Sequence, residues 1–186
     1  VVRRAEEAAV ARFETILHEL VAQLDVLRAP LDPACPPVVS GSVAERMLAA
    51  STTVNDRWVT PMIAVAGSVA EEIVDIIASV DGVTLAYVNN GGDVALHLAP
   101  DASLRVGLVS DLATGRVDRL LEVDGSGDIR GLATSGAGGR SHSLGIADAV
   151  TVVGTRVSVC DAVATMVANA IDLPSDPRIE RLPAQE

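Results

Sequence analysis

The segment VTLAYVNNGGDVALHLAP, residues 83–100, decides the fold class of this chain. Two runs rich in Val and Leu flank a central Asn-Asn-Gly-Gly-Asp, and they predict strands at Val83–Val88 and Val94–Leu98. Asn-Gly between two such runs is the commonest signal for a tight hairpin. We therefore expect a mostly antiparallel sheet that begins after Asp81-Gly82.

The rest of the chain extends this pattern in both directions. Further strands are predicted at Leu104–Val109, Arg116–Val123, Ile129–Ala133 and Ala149–Val153. Helices are predicted at Arg3–Leu27, Ser42–Asn55, Pro61–Val80 and Cys160–Ile171. Ser42 with Glu45 has the spacing of a capping box, and Thr60 precedes Pro61 as a helix cap. Helices, then strands, then a closing C-terminal helix indicate an α+β domain over 1–173, followed by an exposed tail over 174–186.

Composition limits the function classes. A net charge of −11 opposes binding to nucleic acid, and three aromatic residues in 186 leave few stacking platforms for single strands. The chain has no lysine, which excludes Schiff-base chemistry. Cys35 and Cys160 lack the spacing of a disulfide framework, and no apolar run is long enough for a membrane span. We expect a soluble cytoplasmic protein.

The segment GLATSGAGGRSHSLGIAD, residues 131–148, carries the strongest functional signal. Its glycines and small polar residues predict a loop whose backbone lets an anionic or planar ligand approach, with Arg140 and His142 at the edge. Downstream, Asp161 and Thr165 are one helical turn apart, so their oxygens share a face and suit a hard cation. The absence of clustered His and Cys argues against zinc.

Each of these features also has a structural explanation. Asn89–Asp93 forms a hairpin without any ligand. Asp161 near a helix start would cap that helix, and the Thr165 hydroxyl would bond back to a carbonyl. Arg140 and His142 would be ordinary exposed loop residues.

Taken in order, these motifs resemble a known superfamily. The helix beginning TPMIAVAGSVAEEI, the hairpin YVNNGGDVAL, the Thr134-Ser135-Gly136 step, His142 and the helix DAVATMVANAI are similar in order to ApbE-like proteins, over residues 60 to 173. The best-known members are FAD:protein FMN transferases, and the chain looks closer to the shorter ApbE-like branch. The resemblance implies an ApbE-like, T-fold-related fold.

The resemblance also implies site roles. Asp161 and Thr165 would bind Mg²⁺, and His142 would be the base that activates an acceptor hydroxyl. FAD or FMN would be the cofactor, and a flavin or other small phosphorylated ligand the binding partner. The implied ligand-binding residues are Asn89, Gly91, Gly92, Asp93, Thr134, Ser135, Gly136 and Arg140.

The chain departs from the transferases at two places. Ser143–Asp148 replaces their Ile-Asp-Pro-x-Thr-Gly loop, and Val65-Ala66-Gly67 replaces their Ala-Lys-Gly. Two hypotheses follow: a divergent flavin transferase or flavin-binding protein, and a non-catalytic assembly or partner protein. An acceptor protein and a homo-oligomer are the protein partners considered. In the second case the helix Arg3–Leu27 is the interface candidate.

Overall fold

The structure is a computed structural model that describes residues 1–32, 34–54, 59–109, 114–139 and 143–180. Its helices are α1 (Val2–Val21), α2 (Leu24–Leu27), α3 (Ser42–Thr53), α4 (Val65–Ala78) and α5 (Val157–Ala170). Its strands are β1 (Leu85–Asn90), β2 (Asp93–Leu98), β3 (Ser103–Leu108), β4 (Arg119–Asp124), β5 (Gly131–Ser135) and β6 (Val150–Gly154). This order confirms the predicted α+β class.

Strands β1, β2, β5 and β6 form one antiparallel sheet in the order β1-β2-β5-β6. On one face of this sheet, α4 packs over β1 and β2, and α5 packs over β5 and β6. The hairpin β3–β4 packs on the opposite face, where Val123 meets Leu96 and Leu98. Helix α3 contacts both α4 and α5, and α1 packs mainly against α4.

The predicted hairpin between β1 and β2 is confirmed. Asn90 pairs with Asp93, so the turn consists of Gly91 and Gly92 alone. These two residues have φ values of 71° and 119°, a left-handed conformation that glycine adopts without strain. Strand β1 therefore ends two residues closer to the turn than the sequence predicted.

The first predicted helix is interrupted. Helix α1 ends at Val21, and a turn at Ala22 and Gln23 separates it from α2. The Gln23 amide donates to the carbonyl of Glu19 at 3.1 Å and to that of Ser40 at 2.7 Å. The segment that leads into α3 is therefore held at this turn by Gln23. The predicted single helix from Arg3 to Leu27 is two helices.

The predicted capping box is wrong. Gly41, with φ 89°, takes the N-cap position of α3, and Ser42 is the first helical residue. The Ser42 hydroxyl donates to the buried carboxylate of Glu72 at 2.6 Å. The same oxygen accepts from the Arg12 guanidinium at 3.3 Å, so charged groups occupy both its donor and its acceptor side. Thr60 also makes no side-chain cap, and the chain enters α4 through a 3₁₀ turn at Pro61–Ala64.

Aliphatic side chains fill the space between these layers. The largest cluster joins α1, α3 and α4, and it contains Ile16, Leu20, Met47, Val69 and Ile73. Ala70, Val74, Ala95 and Val157 form a second cluster between α4, β2 and α5. None of the described helices is long and apolar enough to cross a membrane.

Candidate acid-pair site

Two carboxyl groups meet where β2 begins and α4 starts. Asp93 is the first residue of β2 and is 5% exposed, whereas Asp161 lies in the second turn of α5 and is half-buried. The two side chains face each other closely enough for a hydrogen bond once either one is protonated. The structure thus brings together two residues that the sequence nominated separately, one in a hairpin and one on a helix.

Burial shifts the ionisation of both groups. Burial is the main cause that raises the pKa of Asp93 to about 8, and the charge of Asp161 raises it further. Burial also raises the pKa of Asp161, to about 6, although the amide of Gly67 opposes this shift. The pair therefore favours a form in which a proton, or a cation in its place, offsets one negative charge.

The backbone of α4 holds Asp161 in position. Its Oδ2 accepts a hydrogen bond from the Gly67 N–H at 2.9 Å, in the first turn of α4. A Cβ atom at position 67 would lie 2.6 Å from the Val157 carbonyl oxygen and 2.9 Å from the Asp161 Cβ. Glycine is thus required for α4 and α5 to approach this closely. Asp161 caps α4 in place of a local N-cap residue, since the α4 N-cap, Ala64, has no side-chain acceptor.

A carboxylate of α4 caps α5 in the same way. Glu71 of α4 accepts hydrogen bonds from the Ser158 N–H at 3.0 Å and the Ser158 hydroxyl at 2.9 Å, at the start of α5. Burial alone would raise the pKa of Glu71, but these bonds and the charges of Arg156 and Arg46 lower it. Helices α4 and α5 therefore cap each other, each through a carboxylate of its neighbour. In the sequence analysis Gly67 is named only within Val65-Ala66-Gly67, and Glu71 and Ser158 were not selected.

Two residues of β5 bond to Asp93 and to Thr165 of α5. The Thr134 N–H donates to Asp93 Oδ1 at 3.3 Å, and the Thr165 hydroxyl donates to the Ser135 hydroxyl at 3.2 Å. The local explanations for Asp161 and Thr165 are therefore wrong. Helix α5 begins four residues before Asp161, and the Thr165 bond runs across to the sheet.

The remaining hairpin residues shape the turn. Asn89 Oδ1 accepts from the Gly92 N–H at 3.0 Å, and Gly91 supplies the first turn conformation. The Asn90 side chain, which the sequence analysis did not select, donates to the Ala66 carbonyl at 3.0 Å. This bond ties the hairpin to the start of α4 and places Asp93 beside Asp161.

The glycine-rich loop uses its own amides. The N–H groups of Ala137 and Gly138 donate to the carbonyls of Ala147 and Asp148, and that of Gly139 donates to Gly136. Gly136, with φ 153°, lets the chain pass close to the Asp148 carbonyl. These three amides are therefore not available to a ligand in this conformation. Arg140 and His142 lie outside the described residues.

The oxygen atoms at the site fit a hard cation. The paired carboxyl groups offer the oxygen donors that Mg²⁺ prefers, and the Thr165 hydroxyl, bonded to that of Ser135, lies one turn along α5 from Asp161. Over the described ranges, no three His, Cys, Asp or Glu side chains form a metal-holding group. A cation at Asp93 and Asp161 would therefore complete its coordination with water and ligand phosphate oxygens, the usual arrangement for Mg²⁺.

Fold and site together define an α+β protein with paired acids between a sheet and two mutually capped helices. A family model described as AbpE bacteria matches residues 1–186. A UPF0280 protein of Methanosphaerula palustris is 35% identical over 170 residues, covering 90% of this chain and 68% of the relative. One of Methanothrix thermoacetophila is 33% identical over 167 residues, covering 89% and 68%.

A third UPF0280 protein, from Archaeoglobus fulgidus, is 40% identical over 134 residues, covering 70% of this chain and 51% of the relative. The chain spans about two thirds of the first two relatives and about half of the third. It belongs to the family described as AbpE bacteria, and UPF0280 proteins are its relatives.

Proposed function

We propose that this chain binds a phosphorylated ligand, with a flavin nucleotide as the favoured class, through a divalent cation held by Asp93, Asp161 and Thr165. The observation that carries the proposal is the contact between two carboxyl groups from β2 and α5, next to the Ser135 and Thr165 hydroxyls. A bound Mg²⁺ would offset both negative charges and attract phosphate oxygens.

The residues around the pair support this assignment. Gly67 and Thr134 each donate a backbone N–H to one carboxylate, so the acids are fixed before any ligand arrives. Asp161, Thr165 and Ser135 are half-buried, which leaves one side of the site open to solvent. A rigid, partly open set of oxygen atoms suits a cation shared with a ligand.

The flavin part of the proposal comes from the ApbE-like, T-fold-related resemblance. In that case a hydroxyl of an acceptor protein would attack the FMN phosphorus of FAD, the bond to AMP would break, and His142 would accept the hydroxyl proton. AMP release from FAD in the presence of Mg²⁺ measures this step directly. The chain would then be a divergent FMN transferase.

Calorimetric titration of FAD and FMN, with and without Mg²⁺, tests the binding proposal. We expect binding that requires Mg²⁺ and weakens at least tenfold in Asp161→Asn and in Thr165→Val. Asn at 161 retains an acceptor for the Gly67 N–H, so this variant removes the charge and keeps the helix cap. Asp81→Asn, at an exposed turn, is the matched control and should bind like the wild type.

Two results would overturn the proposal. Binding that proceeds equally without Mg²⁺, or equally in Asp161→Asn, would exclude the acid pair as a cation site. If neither flavin binds the folded protein, the flavin assignment is wrong, and a panel of ADP, ATP and inorganic pyrophosphate with Mg²⁺ then tests the wider phosphate class.

A non-catalytic assembly protein is the second candidate function. The observation in its favour is an apolar stripe on α1 that the described part of the chain leaves exposed. Loss of ligand binding across the whole panel, together with self-association through this stripe, would favour this candidate.

A further inference from the structure

Strand β1 is an unguarded edge of the four-stranded sheet. Among the described residues it pairs with β2 and with no other strand. Its sequence, LAYVNN, has no charge and no proline, and its register with β2 runs from Leu85 to Asn90 without a bulge. Proteins normally protect a free edge with charges, prolines or bulges, because unpaired backbone groups pair with another strand. Such an edge is a template for strand addition.

Helix α1 exposes a stripe of large apolar side chains. Its members follow three-and-four spacing and are between 57% and 67% exposed: Val10, Phe13, Leu17 and Val21. Ile16 and Leu20, on the neighbouring face, are buried against α4. One face of the helix therefore packs into the core, and a second apolar face is exposed to solvent. We call the four exposed residues the α1 stripe.

The α1 stripe lies on the side of the molecule that carries β1. Arg12 and Glu19 mark the flank of α1 that faces α3, because Arg12 bonds to Ser42 at the start of α3. The stripe is on the other flank. Val88 of β1 packs against the cluster that α1 shares with α4, and the Val1 side chain before α1 lies beside Gly82, three residues before β1. The stripe and the strand edge therefore lie on the same side of the molecule.

We propose that this surface binds a second copy of the chain. A two-fold axis perpendicular to the sheet would pair β1 with β1 in antiparallel fashion, with Tyr87 of one copy opposite Tyr87 of the other. In that register Leu85 faces Asn89, so residues from the same face of the sheet meet, as antiparallel pairing requires. The same axis places α1 antiparallel to α1, with the two stripes in contact. A single two-fold axis would therefore bury both the β1 edge and the α1 stripe.

The size of this surface favours a second copy, and its lack of charge permits one. The chain has a net charge of −11, so most contacts between two copies would be repulsive, but β1 and the four side chains of the stripe are uncharged. The stripe from Val10 to Val21 is about 17 Å long, and the six-residue strand is about 20 Å long. Two such layers give a surface on the order of the 800 Å² per partner found in stable dimers.

Light scattering coupled to size-exclusion chromatography tests the proposal on the 186-residue chain. We expect a dimer for the wild type and at least a tenfold higher dissociation constant for Leu17→Arg. Leu120→Arg is the control: Leu120 is also 67% exposed, but it lies on the β3–β4 hairpin. A wild type that remains monomeric at 100 µM, or equal effects of the two substitutions, would overturn the proposal.

A cross-link provides a test that does not depend on the stability of Leu17→Arg. Tyr87→Cys, with Cys35→Ser to remove the exposed native thiol, places the only exposed cysteine on the two-fold axis, since Cys160 is buried. Mild oxidation should give a covalent dimer within minutes, whereas Leu120→Cys in the same background should give no covalent dimer. Equal cross-linking of the two variants would show random collision and contradict the β1 pairing.

Discussion

The contact at Gly67 allows a quantitative prediction for Gly67→Ala. In an exposed helix this change stabilises a protein by about 1 kcal/mol. Here the new Cβ would lie 2.6 Å from the Val157 carbonyl oxygen, so α5 would have to retreat by roughly 0.8 Å to restore an ordinary contact of 3.4 Å. That shift costs about 1–3 kcal/mol of overpacking and weakens the two reciprocal caps, each worth about 1 kcal/mol.

The net expectation is a destabilisation of about 2 kcal/mol, which lowers the melting temperature by about 4–8 °C in a chain of this size. Thermal unfolding followed by circular dichroism measures it, and Gly67→Ser should be lower still. Gly127→Ala is the control, because a Cβ there would lie 3.4 Å from its nearest neighbour. A melting temperature at or above that of the wild type would refute the close-contact argument, since helix propensity alone raises it.

Three further predictions concern single side chains. Asp93→Asn should raise the melting temperature at pH 7 by about 2–6 °C, because an amide shares the bond to Asp161 without a second carboxylate; a fall relative to an Asp81→Asn control would contradict this. Glu71→Gln should be less stable than the wild type near pH 7. Because the pKa of Glu71 is lowered in the folded state, its stabilisation is present above the usual carboxyl range and is lost as pH falls through the folded pKa. The stability gap should therefore close in acid, and a gap that is constant with pH in urea titrations would exclude the charged cap. Leu20→Arg should cost about 3 kcal/mol or more because Leu20 is buried, whereas Leu17→Arg should change the free energy of unfolding of the monomer by about 0.5 kcal/mol or less.

Local pattern was sufficient to predict the strands and the hairpin. Val- and Leu-rich runs gave the strands of the sheet, and Asn-Gly-Gly-Asp gave the turn, because the physical causes lie within a few residues. Boundaries moved where a distant group intervened. The Ser42 hydroxyl bonds to Glu72, 30 positions away, and does not cap α3. Gln23 bonds to Ser40 at the turn where α1 ends. Hydrogen bonds to residues far away in the sequence cannot be predicted from local residue spacing.

The candidate site could be predicted only in part from the sequence, for the same reason. Asp93, Asp161, Thr165 and Ser135 were all selected, but nothing local places Asp93 against Asp161. The bonds from Gly67 to Asp161 and from Ser158 to Glu71 span 94 and 87 positions. One available signal was Gly67 itself. A glycine inside an otherwise apolar helix costs about 1 kcal/mol, so it indicates a close approach by another part of the chain.

Stability alone does not explain two acids at this point in the fold. The Gly67 N–H needs one acceptor and the Thr134 N–H needs another, and an Asn at position 93 would accept from Thr134 while it donated to Asp161. The second carboxylate therefore contributes nothing to the backbone hydrogen bonds that an amide would not, and its charge opposes folding because it is buried beside another acid. What it adds, once it is ionised, is a second negative charge beside Asp161. A cation shared with a phosphorylated ligand uses that charge, and this is the physical reason to test Mg²⁺ first.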